Sequence, residues 1–235
     1  MKLVDVWLKK WYPHQKDRDA VFQFLELLSK EVTPEKVVLD IGAGAGERNR
    51  YSFKSRCQKM IGIDLDERVK CNPLLDVGMV ADASSIPLPD NSVDLAFSIY
   101  VLEHIECPDR FIAEVKRVLK PGGVFWMLTP NKHHYVPLIA RWTNVLFHKW
   151  VNKKRGRQET DTFATFYRMN TRKDLNDCFE VAGMVLATMT TVEVSPNYLL
   201  WNPLVFLVGV AYERVVNAIG FLSGIRVNLI AAYRK

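Results

Sequence analysis

Cysteine, acidic residues and long hydrophobic runs are all scarce in this sequence, and each shortage excludes a class of protein. The four cysteines, Cys57, Cys71, Cys107 and Cys178, form no Cys-x-x-Cys pair, so a structural zinc site and a disulfide framework are both disfavoured. We expect ordinary buried thiols. No apolar run reaches the roughly twenty residues of a membrane-spanning helix, and the amino terminus lacks the apolar core of a secretory signal. The sequence therefore predicts a cytoplasmic protein.

Repeats and low-complexity segments are also missing, which leaves a single domain as the simplest organisation. The chain has 235 residues and 49% hydrophobic content, enough for one α/β domain with additions. The shortage of acids is local, since residues 132–172 contain nine Lys or Arg and only two acids. The formal charge of +6 therefore comes from one segment. A basic patch of this kind indicates an acidic partner such as lipid headgroups, nucleic acid or an anionic substrate.

A glycine-rich loop after an apolar run is the most informative feature that is present. The run Val37-Val38-Leu39-Asp40-Ile41 leads into Gly42-Ala43-Gly44-Ala45-Gly46, a pattern typical of a buried strand that turns sharply under a ligand. The three glycines let the backbone adopt strained dihedral angles and approach that ligand closely. About twenty residues later, Ile61-Gly62-Ile63-Asp64 predicts a second strand whose terminal carboxylate accepts hydrogen bonds from ribose hydroxyls.

The spacing of this loop argues against a dinucleotide cofactor. A dinucleotide fingerprint has its third glycine one position later, where this chain has Glu47. An anionic side chain beside the loop would oppose a pyrophosphate, but it is compatible with a sulfonium cofactor that carries no phosphate. An NAD-dependent oxidoreductase is therefore a distant alternative.

Five sequence signatures in a fixed order identify a family. Residues 20–193 resemble the class I S-adenosylmethionine-dependent methyltransferases of methyltransferase type 11. The signatures are Asp40-Ile41-Gly42-Ala43-Gly44-Ala45-Gly46, Asp64, Ala81-Asp82-Ala83, Val101-Leu102-Glu103-His104 and Arg117-Val118-Leu119-Lys120-Pro121-Gly122-Gly123. The resemblance implies S-adenosylmethionine as the cofactor.

The order of apolar runs predicts a doubly wound, Rossmann-like α/β fold. Seven strands are expected near residues 36–41, 59–64, 77–81, 93–99, 123–129, 184–193 and 227–233. Five strands are predicted to be parallel, and the resemblance makes the last two a C-terminal antiparallel hairpin. About thirty residues separate those two strands, far more than a usual hairpin loop, so an insertion is expected there. We divide the single domain into N-terminal helices (1–31), a cofactor-binding core (32–131), a basic amphipathic insertion (132–172) and C-terminal strands (173–235) with an apolar insertion at 195–226.

The resemblance also implies which residues bind the cofactor. Asp40 is expected to brace the loop and reach the methionine amino group, and Asp64 to bind the ribose. Asp82 is expected near the adenine amino group, with Ala83 and Leu65 against the ring. The other predicted cofactor residues are Gly42, Ala43, Gly44, Gly46 and Ser98. Asp66 and Asp94 are instead interpreted as structural, the first as a helix cap.

The candidate for proton transfer is His104, because it follows the fourth strand on the side of the reactive methyl group. Alignment and desolvation supply much of the rate of methyl transfer, so a base is not compulsory, and an orienting or packing role for His104 is the alternative. His133, His134 and Tyr135 follow the fifth strand as weaker candidates. No metal is predicted, because the second Glu of quinone-pathway relatives is replaced by Tyr100.

Two apolar insertions beside the basic cluster suggest the class of acceptor. Residues 135–151 predict a basic, aromatic amphipathic helix that leads into the basic residues 153–157, and residues 198–224 predict an interfacial helix or a pocket lid. A helical cap that packs on the core or on a second subunit is the alternative for both. The arrangement after the fifth strand also bears a looser similarity to ubiquinone-pathway O-methyltransferases. The N-terminal segment with Val4, Trp7, Leu8 and Trp11 predicts a short amphipathic helix, either over the cofactor or on the sheet edge.

The sequence thus predicts a methyltransferase for a small lipophilic or lipid-linked acceptor, methylated at oxygen, with peripheral attachment to an anionic membrane surface through residues 132–172 and 198–224. Two alternatives remain open. One is a sugar, protein or RNA acceptor, although the apolar insertions make nucleic acid the weaker choice. The other is a non-catalytic subunit that binds the cofactor and docks onto an active relative.

Overall fold

A seven-stranded sheet forms the centre of the computed structural model, which describes residues 3–13, 19–46, 52–142 and 164–235. The strands are β1 (Val37–Ile41), β2 (Lys59–Asp64), β3 (Val77–Val80), β4 (Val93–Ile99), β5 (Leu119–Pro130), β6 (Val185–Val192) and β7 (Asn228–Arg234). Their order in the sheet is β3-β2-β1-β4-β5-β7-β6. The first five are parallel, and β7 runs antiparallel to both β5 and β6. The predicted Rossmann-like sheet with its C-terminal antiparallel hairpin is confirmed.

Helices cover both faces of the sheet. They are α1 (Leu3–Trp11), α2 (Ala20–Ser29), α3 (Pro108–Val118), α4 (Tyr135–Trp142), α5 (Arg172–Val181) and α6 (Pro203–Ala218). One face packs α3 and α5 through buried residues such as Phe111 and Phe179. The other face packs α2 through Phe24 and Leu28. Burial of these apolar stripes on two sides is what holds a parallel sheet in place.

Strand β5 begins earlier than the sequence predicts. The expected start was residue 123, but Leu119 already pairs with Val93 of β4, and the register then shifts before Leu95 pairs with Val124. Gly122 lies inside this irregular section with a φ of +79°, a conformation that glycine adopts without strain. A turn-like Pro-Gly-Gly sequence therefore lies within an irregular part of a strand.

The cysteines correct the expectation of buried thiols. All four are free, but Cys71 and Cys107 are exposed, and Cys57 and Cys178 are only partly buried. Cys71 ends a short surface 3-10 helix, and Cys107 is the residue immediately before α3. Both thiols therefore lie at the ends of helical elements, outside the buried core.

The insertion predicted between β6 and β7 forms α6 and a 3-10 helix at Gly220–Ile225. The N-terminal helix α1 packs on α6, with the Trp11 ring stacked 6.1 Å from that of Phe206, and the Tyr12 hydroxyl donates a hydrogen bond to Glu213 at 2.8 Å. The structure thus places α1 on the inserted helix. In the part of the chain that is described, no helix has both the length and the apolar character needed to cross a membrane.

The basic insertion is described only in part. Helix α4 covers the first eight residues of the amphipathic helix predicted over 135–151. The rest of that prediction, the basic residues 153–157, and Glu47 beside the glycine loop lie outside the described residues.

The two residues that were interpreted as structural both accept hydrogen bonds within the fold. Asp66 caps a 3-10 helix by accepting from Arg68 N, and Asp94 accepts from Val37 N and Lys120 Nζ.

Candidate functional site

The predicted site residues converge where β1, β2 and β4 end. In the parallel ladders Ile41 pairs with Ile63 on one side and with Ser98 on the other. The glycine loop after β1, Asp64 at the end of β2 and Ser98 near the end of β4 therefore share one edge of the sheet. This is the edge at which open α/β sheets bind ligands, because the strand order reverses between β1 and β4.

The glycine loop has a backbone that only glycine adopts easily. Gly42, Gly44 and Gly46 have φ angles of +82°, +54° and +80°, in the left-handed region that disfavours any residue with a Cβ. A Cβ on Gly42 would lie 2.3 Å from Val101 Cγ2, and one on Gly46 would lie 2.4 Å from the Asn72 side chain. At Gly44 the one described neighbour that a Cβ would meet is Asp64, at 3.9 Å. With respect to the described residues, the middle of the loop is therefore an open cradle between two tightly packed ends.

The Asp64 carboxylate is part of this cradle. One of its oxygens accepts a hydrogen bond from Gly44 N at 2.8 Å, and the other accepts from Asp66 N at 2.9 Å. A carboxylate has about four lone-pair directions, so these two bonds leave acceptor capacity for ligand hydroxyls. The acid holds the loop and remains able to bind a ribose.

Asn72 is a site residue that the sequence analysis missed. Its buried side chain donates hydrogen bonds to the carbonyl oxygens of Ala43 and Gly44, both at 3.1 Å, and accepts one from Leu74 N. Asn72 therefore braces the glycine loop from the following segment. The only signal in the sequence was the turn-forming pair Asn72-Pro73, which indicates a turn but gives no hint of its contact with the loop.

Asp40 and Ser98 lie inside the sheet at this edge. Asp40 is 3% exposed and lines a small internal cavity together with Phe53 and Phe97. Ser98 is fully buried, and its hydroxyl has no hydrogen-bond partner among the described residues. A buried hydroxyl without a partner is costly, so a polar ligand group at this edge would satisfy it.

The remaining predicted residues surround the mouth of the cradle. Leu65 follows β2 and is 60% exposed, although a large apolar side chain is more stable when covered. Asp82, after β3, is exposed and accepts a hydrogen bond from Ser84 N at 2.7 Å, which orders the turn that contains Ala83. The structure thus brings all ten predicted cofactor residues to the ends of four neighbouring strands.

Comparison with known proteins relates the core of this chain to methyltransferases. A sequence profile described as a methyltransferase domain matches residues 39–127. Those residues are a methyltransferase domain. A probable S-adenosylmethionine-dependent methyltransferase of Mycolicibacterium smegmatis is 34% identical over 105 residues, which cover 43% of this chain and 40% of that protein. The matched residues contain the glycine loop, Asp64, Asn72 and His104.

Two further comparisons bear on the methyltransferase domain. A malonyl-[acyl-carrier protein] O-methyltransferase of Yersinia pestis is 28% identical over 136 residues, which cover 56% of this chain and 51% of that protein. The solved S-adenosylmethionine-dependent methyltransferase of Mesorhizobium loti superposes with a TM-score of 0.57 at 18% identity, over 93% of this chain and 99% of that one. The structural likeness supports the fold, and the matches to the two curated relatives span about half of their length or less.

The site fits the cofactor that the family uses. The open space above Gly44, the remaining lone pairs of Asp64 and the unpartnered Ser98 hydroxyl match a ligand that combines a ribose with polar methionine groups. Asp64 would bind the ribose hydroxyls, and Leu65 and Asp82 would lie beside the adenine. When bound, S-adenosylmethionine supplies an electrophilic methyl group on a cationic sulfur. The chain's part is then to align the acceptor and exclude water.

His104 lies in a short 3-10 helix, Leu102–His104, directly after β4. Its Nδ1 is 2.7 Å from the carbonyl oxygen of Ala164. A carbonyl oxygen only accepts hydrogen bonds, so Nδ1 carries the proton in the neutral ring and Nε2 is the basic nitrogen. Nε2 is 4.0 Å from a Glu103 oxygen. The arrangement agrees with either predicted role of His104, as a base or as an orienting group.

Glu103 is a second residue that the sequence analysis did not select. Its side chain is 8% exposed, and one oxygen lies 3.5 Å from the Thr129 hydroxyl. Burial raises the pKa of this carboxyl to about 7. A carboxyl with a shifted pKa at the ligand-binding edge of a sheet is a candidate functional group.

The weaker candidates after β5 have different environments. His133 is exposed, whereas His134 is 1% exposed and its Nε2 lies 3.6 Å from Glu193. Burial lowers the pKa of His134 to about 4 and raises that of Glu193 to about 8, so both groups are neutral near pH 7. The ring of Tyr135 lies 4.1 Å from that of His134. Among the described residues, no group of three His, Cys, Asp or Glu side chains is arranged to hold a metal ion.

Proposed function

We propose that this protein transfers the methyl group of S-adenosylmethionine to a small lipophilic or lipid-linked acceptor, at oxygen. The part of the proposal that concerns the cofactor rests on the cradle formed by Gly44 and Asp64 at the strand ends. The family assignment supports it. The part of the proposal that concerns the acceptor depends on helix α6, which contacts the residues after β5.

Helix α6 has an apolar outer face. Leu204 and Val208 are 73% and 69% exposed, and Phe221 in the following 3-10 helix is 95% exposed. Leu207 and Val215 continue the stripe at helical spacing. We call these five residues the apolar face. Exposing so many large apolar side chains together is unfavourable unless something covers them.

The inner side of α6 faces the acceptor end of the site. The ring of Tyr212 lies 5.7 Å from that of His134 and 5.0 Å from that of Tyr135, both just after β5. One helix therefore borders the strand ends on one side and exposes apolar residues on the other. We infer that the apolar face enters the surface of an anionic membrane, because the chain has a formal charge of +6 and a basic segment at 132–172.

Methylation at oxygen is supported by two observations. The His104 ring and the Glu103 carboxyl adjoin the end of β4, and a base assists hydroxyl acceptors more than acceptors that are already nucleophilic. A relative that matches 56% of this chain is named as an O-methyltransferase.

Methyl-labelled S-adenosylmethionine tests the acceptor class. The purified protein is incubated with the label and an extract of its native cells, and the products are partitioned between organic solvent and water. We expect label in the organic phase. Label confined to the aqueous or macromolecular fraction would replace the proposal with a sugar, protein or RNA acceptor, and no transfer despite cofactor binding would favour a non-catalytic subunit.

A sedimentation assay with vesicles of anionic lipid tests the membrane surface. The double variant Leu204→Gln/Val208→Gln should lose most binding, whereas Val181→Gln should not, because Val181 is 89% exposed but belongs to α5. Replacing the basic residues of 153–157 with Gln should lower binding at low salt. Binding that ignores the α6 variant would remove the apolar face from the proposal, and binding that ignores both salt and the 153–157 variant would remove its electrostatic part.

A further inference from the structure

The Glu103 carboxyl is held in place from two sides at the end of β4. The backbone carbonyl of Glu103 accepts hydrogen bonds from Phe166 N at 2.7 Å and Tyr167 N at 3.3 Å. These bonds tie the segment that precedes α5 to the 3-10 helix that contains Glu103. The Thr129 hydroxyl of β5 accepts a hydrogen bond from Asn170 at 2.6 Å. The hydroxyl proton is then directed toward Glu103, 3.5 Å away. The carboxyl is thus positioned by β5 and by the 164–170 segment.

Two tyrosines with strained backbones flank this carboxyl. Tyr100 and Tyr167 have φ angles of +58° and +52°, and an aromatic residue in the left-handed region costs free energy that persists mainly at functional sites. Tyr100 is 38% exposed, yet the surrounding chain desolvates its phenol enough to raise its pKa, with Tyr198 and Glu103 as further contributors. The Tyr100 phenol therefore lies near the Glu103 carboxyl at the end of β4.

Tyr167 also lies near this carboxyl. Burial raises the pKa of Tyr167 to about 12, and Glu103 and Tyr198 add to the effect. Phenol rings contact flat or apolar molecules well and offer hydroxyl groups at their tips. The tyrosines beside Glu103 therefore suit an apolar or aromatic acceptor.

In the part of the chain that the structure describes, the charged and titratable groups around Glu103 include no cation that would neutralise it. His104 faces it from the same 3-10 helix at 4.0 Å, Tyr100 from the end of β4 and Tyr167 from the 164–170 segment, while β5 contributes the uncharged Thr129. Among the described residues, no Lys or Arg nitrogen lies within 4.0 Å of the carboxyl. An anionic acceptor would therefore face a buried acid with no compensating positive charge.

We propose that Glu103 is the general base of the reaction and that its buried carboxylate selects an uncharged hydroxyl on an apolar or aromatic acceptor over a carboxylate. This inference rests on the proposed function and narrows its acceptor. Glu103 accepts the hydroxyl proton as the acceptor oxygen bonds to the methyl carbon. The electron pair of the breaking carbon–sulfur bond remains on sulfur, which becomes a neutral thioether, and Glu103 then releases the proton to water.

The pH dependence follows from the carboxyl's environment. A base must be ionised to act, and burial raises the pKa of Glu103 to about 7, so transfer should increase as the pH rises through 7 and level off above it. A base with an ordinary carboxyl pKa would already be ionised, so the rate of transfer would stay constant across this pH range. His104 lies beside Glu103, so the variants below separate the two residues.

Binding of two matched probes tests the proposal without turnover. The protein loaded with S-adenosylhomocysteine is titrated by calorimetry with 4-hexylphenol and with 4-hexylbenzoate at about pH 8.5, where Glu103 is ionised. We expect the phenol to bind about tenfold more tightly or better, since one pKa unit of interaction corresponds to a factor of ten. In Glu103→Gln, which keeps the shape and removes the charge, the preference should fall to near unity. Equal binding in the wild type, an unchanged preference in Glu103→Gln, or no binding of either probe would overturn the proposal.

Transfer of labelled methyl to 4-hexylphenol gives the second readout. Glu103→Gln should lower the rate about 100-fold or more and abolish the rise through pH 7, while His104→Gln should keep that rise. The exposed Glu106 provides the control Glu106→Gln, which should behave as the wild type. Thr129→Val should shift the pH profile and retain activity, which separates the base from its positioning residue. If S-adenosylhomocysteine does not bind the wild type, the proposed function fails; if it binds and Glu103→Gln transfers methyl at the wild-type rate, only the assignment of Glu103 fails.

Discussion

The Asp64 carboxylate accepts a hydrogen bond from Gly44 N at 2.8 Å, so the acid at the end of β2 and the middle of the glycine loop form one unit. The contact spans twenty residues of sequence. It means that Asp64 both shapes the loop and contributes to the ligand site.

Replacing Asp64 separates these two roles. Asp64→Ala removes the ribose acceptor and the brace, and we expect affinity for S-adenosylhomocysteine to fall roughly 10- to 100-fold, because hydrogen bonds that involve a charged group contribute about 1.5–3 kcal/mol. Asp64→Asn keeps an acceptor for Gly44 and should lose less. Asp66→Ala is the matched control, because its carboxylate pairs with Arg68 at the surface. Calorimetric affinities equal to wild type in Asp64→Ala would refute the ribose assignment.

Two glycines with the same backbone angle test the packing of the loop. Gly42 and Gly122 have φ angles of +82° and +79°, but a Cβ on Gly42 would clash with Val101 at 2.3 Å, whereas one on Gly122 would meet no described residue within 4 Å. Gly122→Ala should cost about 1 kcal/mol of stability from backbone strain alone. Gly42→Ala should cost more and weaken cofactor binding. The double variant Gly42→Ala/Val101→Ala should recover part of that loss in thermal unfolding, and no recovery would show that the clash is not the cause.

The hydrogen bond between Tyr12 and Glu213 attaches α1 to α6. Its length is 2.8 Å, and the Arg214 guanidinium lies 5.7 Å from the centre of the Tyr12 ring. A double-mutant cycle with Tyr12→Phe and Glu213→Gln should give a coupling free energy of roughly 1–2 kcal/mol. The same variants should make α1 more accessible to limited proteolysis. Strict additivity in urea unfolding would mean that the helix is held by the stacked rings of Trp11 and Phe206 instead.

Stability should decrease as the pH rises from about 6.5 to 8.5. Burial raises the pKa of Glu193 to about 8 from an ordinary value of 4.5, so within this window the folded state holds a proton that the unfolded state has released. Proton release then favours unfolding. The lowered pKa of His134 acts in the opposite direction, but only between about 4 and 6.5.

Glu193→Gln isolates this effect. The variant keeps an acceptor for Val227 N and cannot ionise, so its unfolding temperature should change less across the window than that of the wild type. Glu103 contributes in the same direction up to about pH 7. The exposed Glu180 serves as the control, and Glu180→Gln should follow the wild type. A parallel pH dependence in Glu193→Gln would contradict the buried, protonated state.

The elements of the sheet were predictable because each depends on local sequence. Runs such as Val37–Ile41 and Val93–Ile99 are apolar enough to be buried on both faces, and the strand order then follows the rules for parallel sheets. The glycine loop was recognisable because three alternating glycines after an apolar run are typical of a turn that binds a ligand. The early start of β5 was missed, since a Pro-Gly-Gly sequence resembles a turn and its pairing with β4 is a long-range contact.

The residues that support the site were harder to predict. Asn72 and Glu103 are ordinary polar residues in the sequence, and their importance comes from contacts across the fold with Ala43 and Thr129. The packing of α1 on α6 joins residues about two hundred positions apart. A one-dimensional pattern records which residues are apolar or charged, but not which distant partner each one meets.

Competition between ligands tests the central claim most directly. We would titrate the purified protein with S-adenosylhomocysteine by calorimetry, and then repeat the titration with NADH. The structure predicts one binding site for S-adenosylhomocysteine, abolished or strongly weakened by Asp64→Ala, and no displacement by NADH. Binding of NADH with no affinity for S-adenosylhomocysteine would contradict the assignment of the cradle and, with it, the proposed methyl transfer.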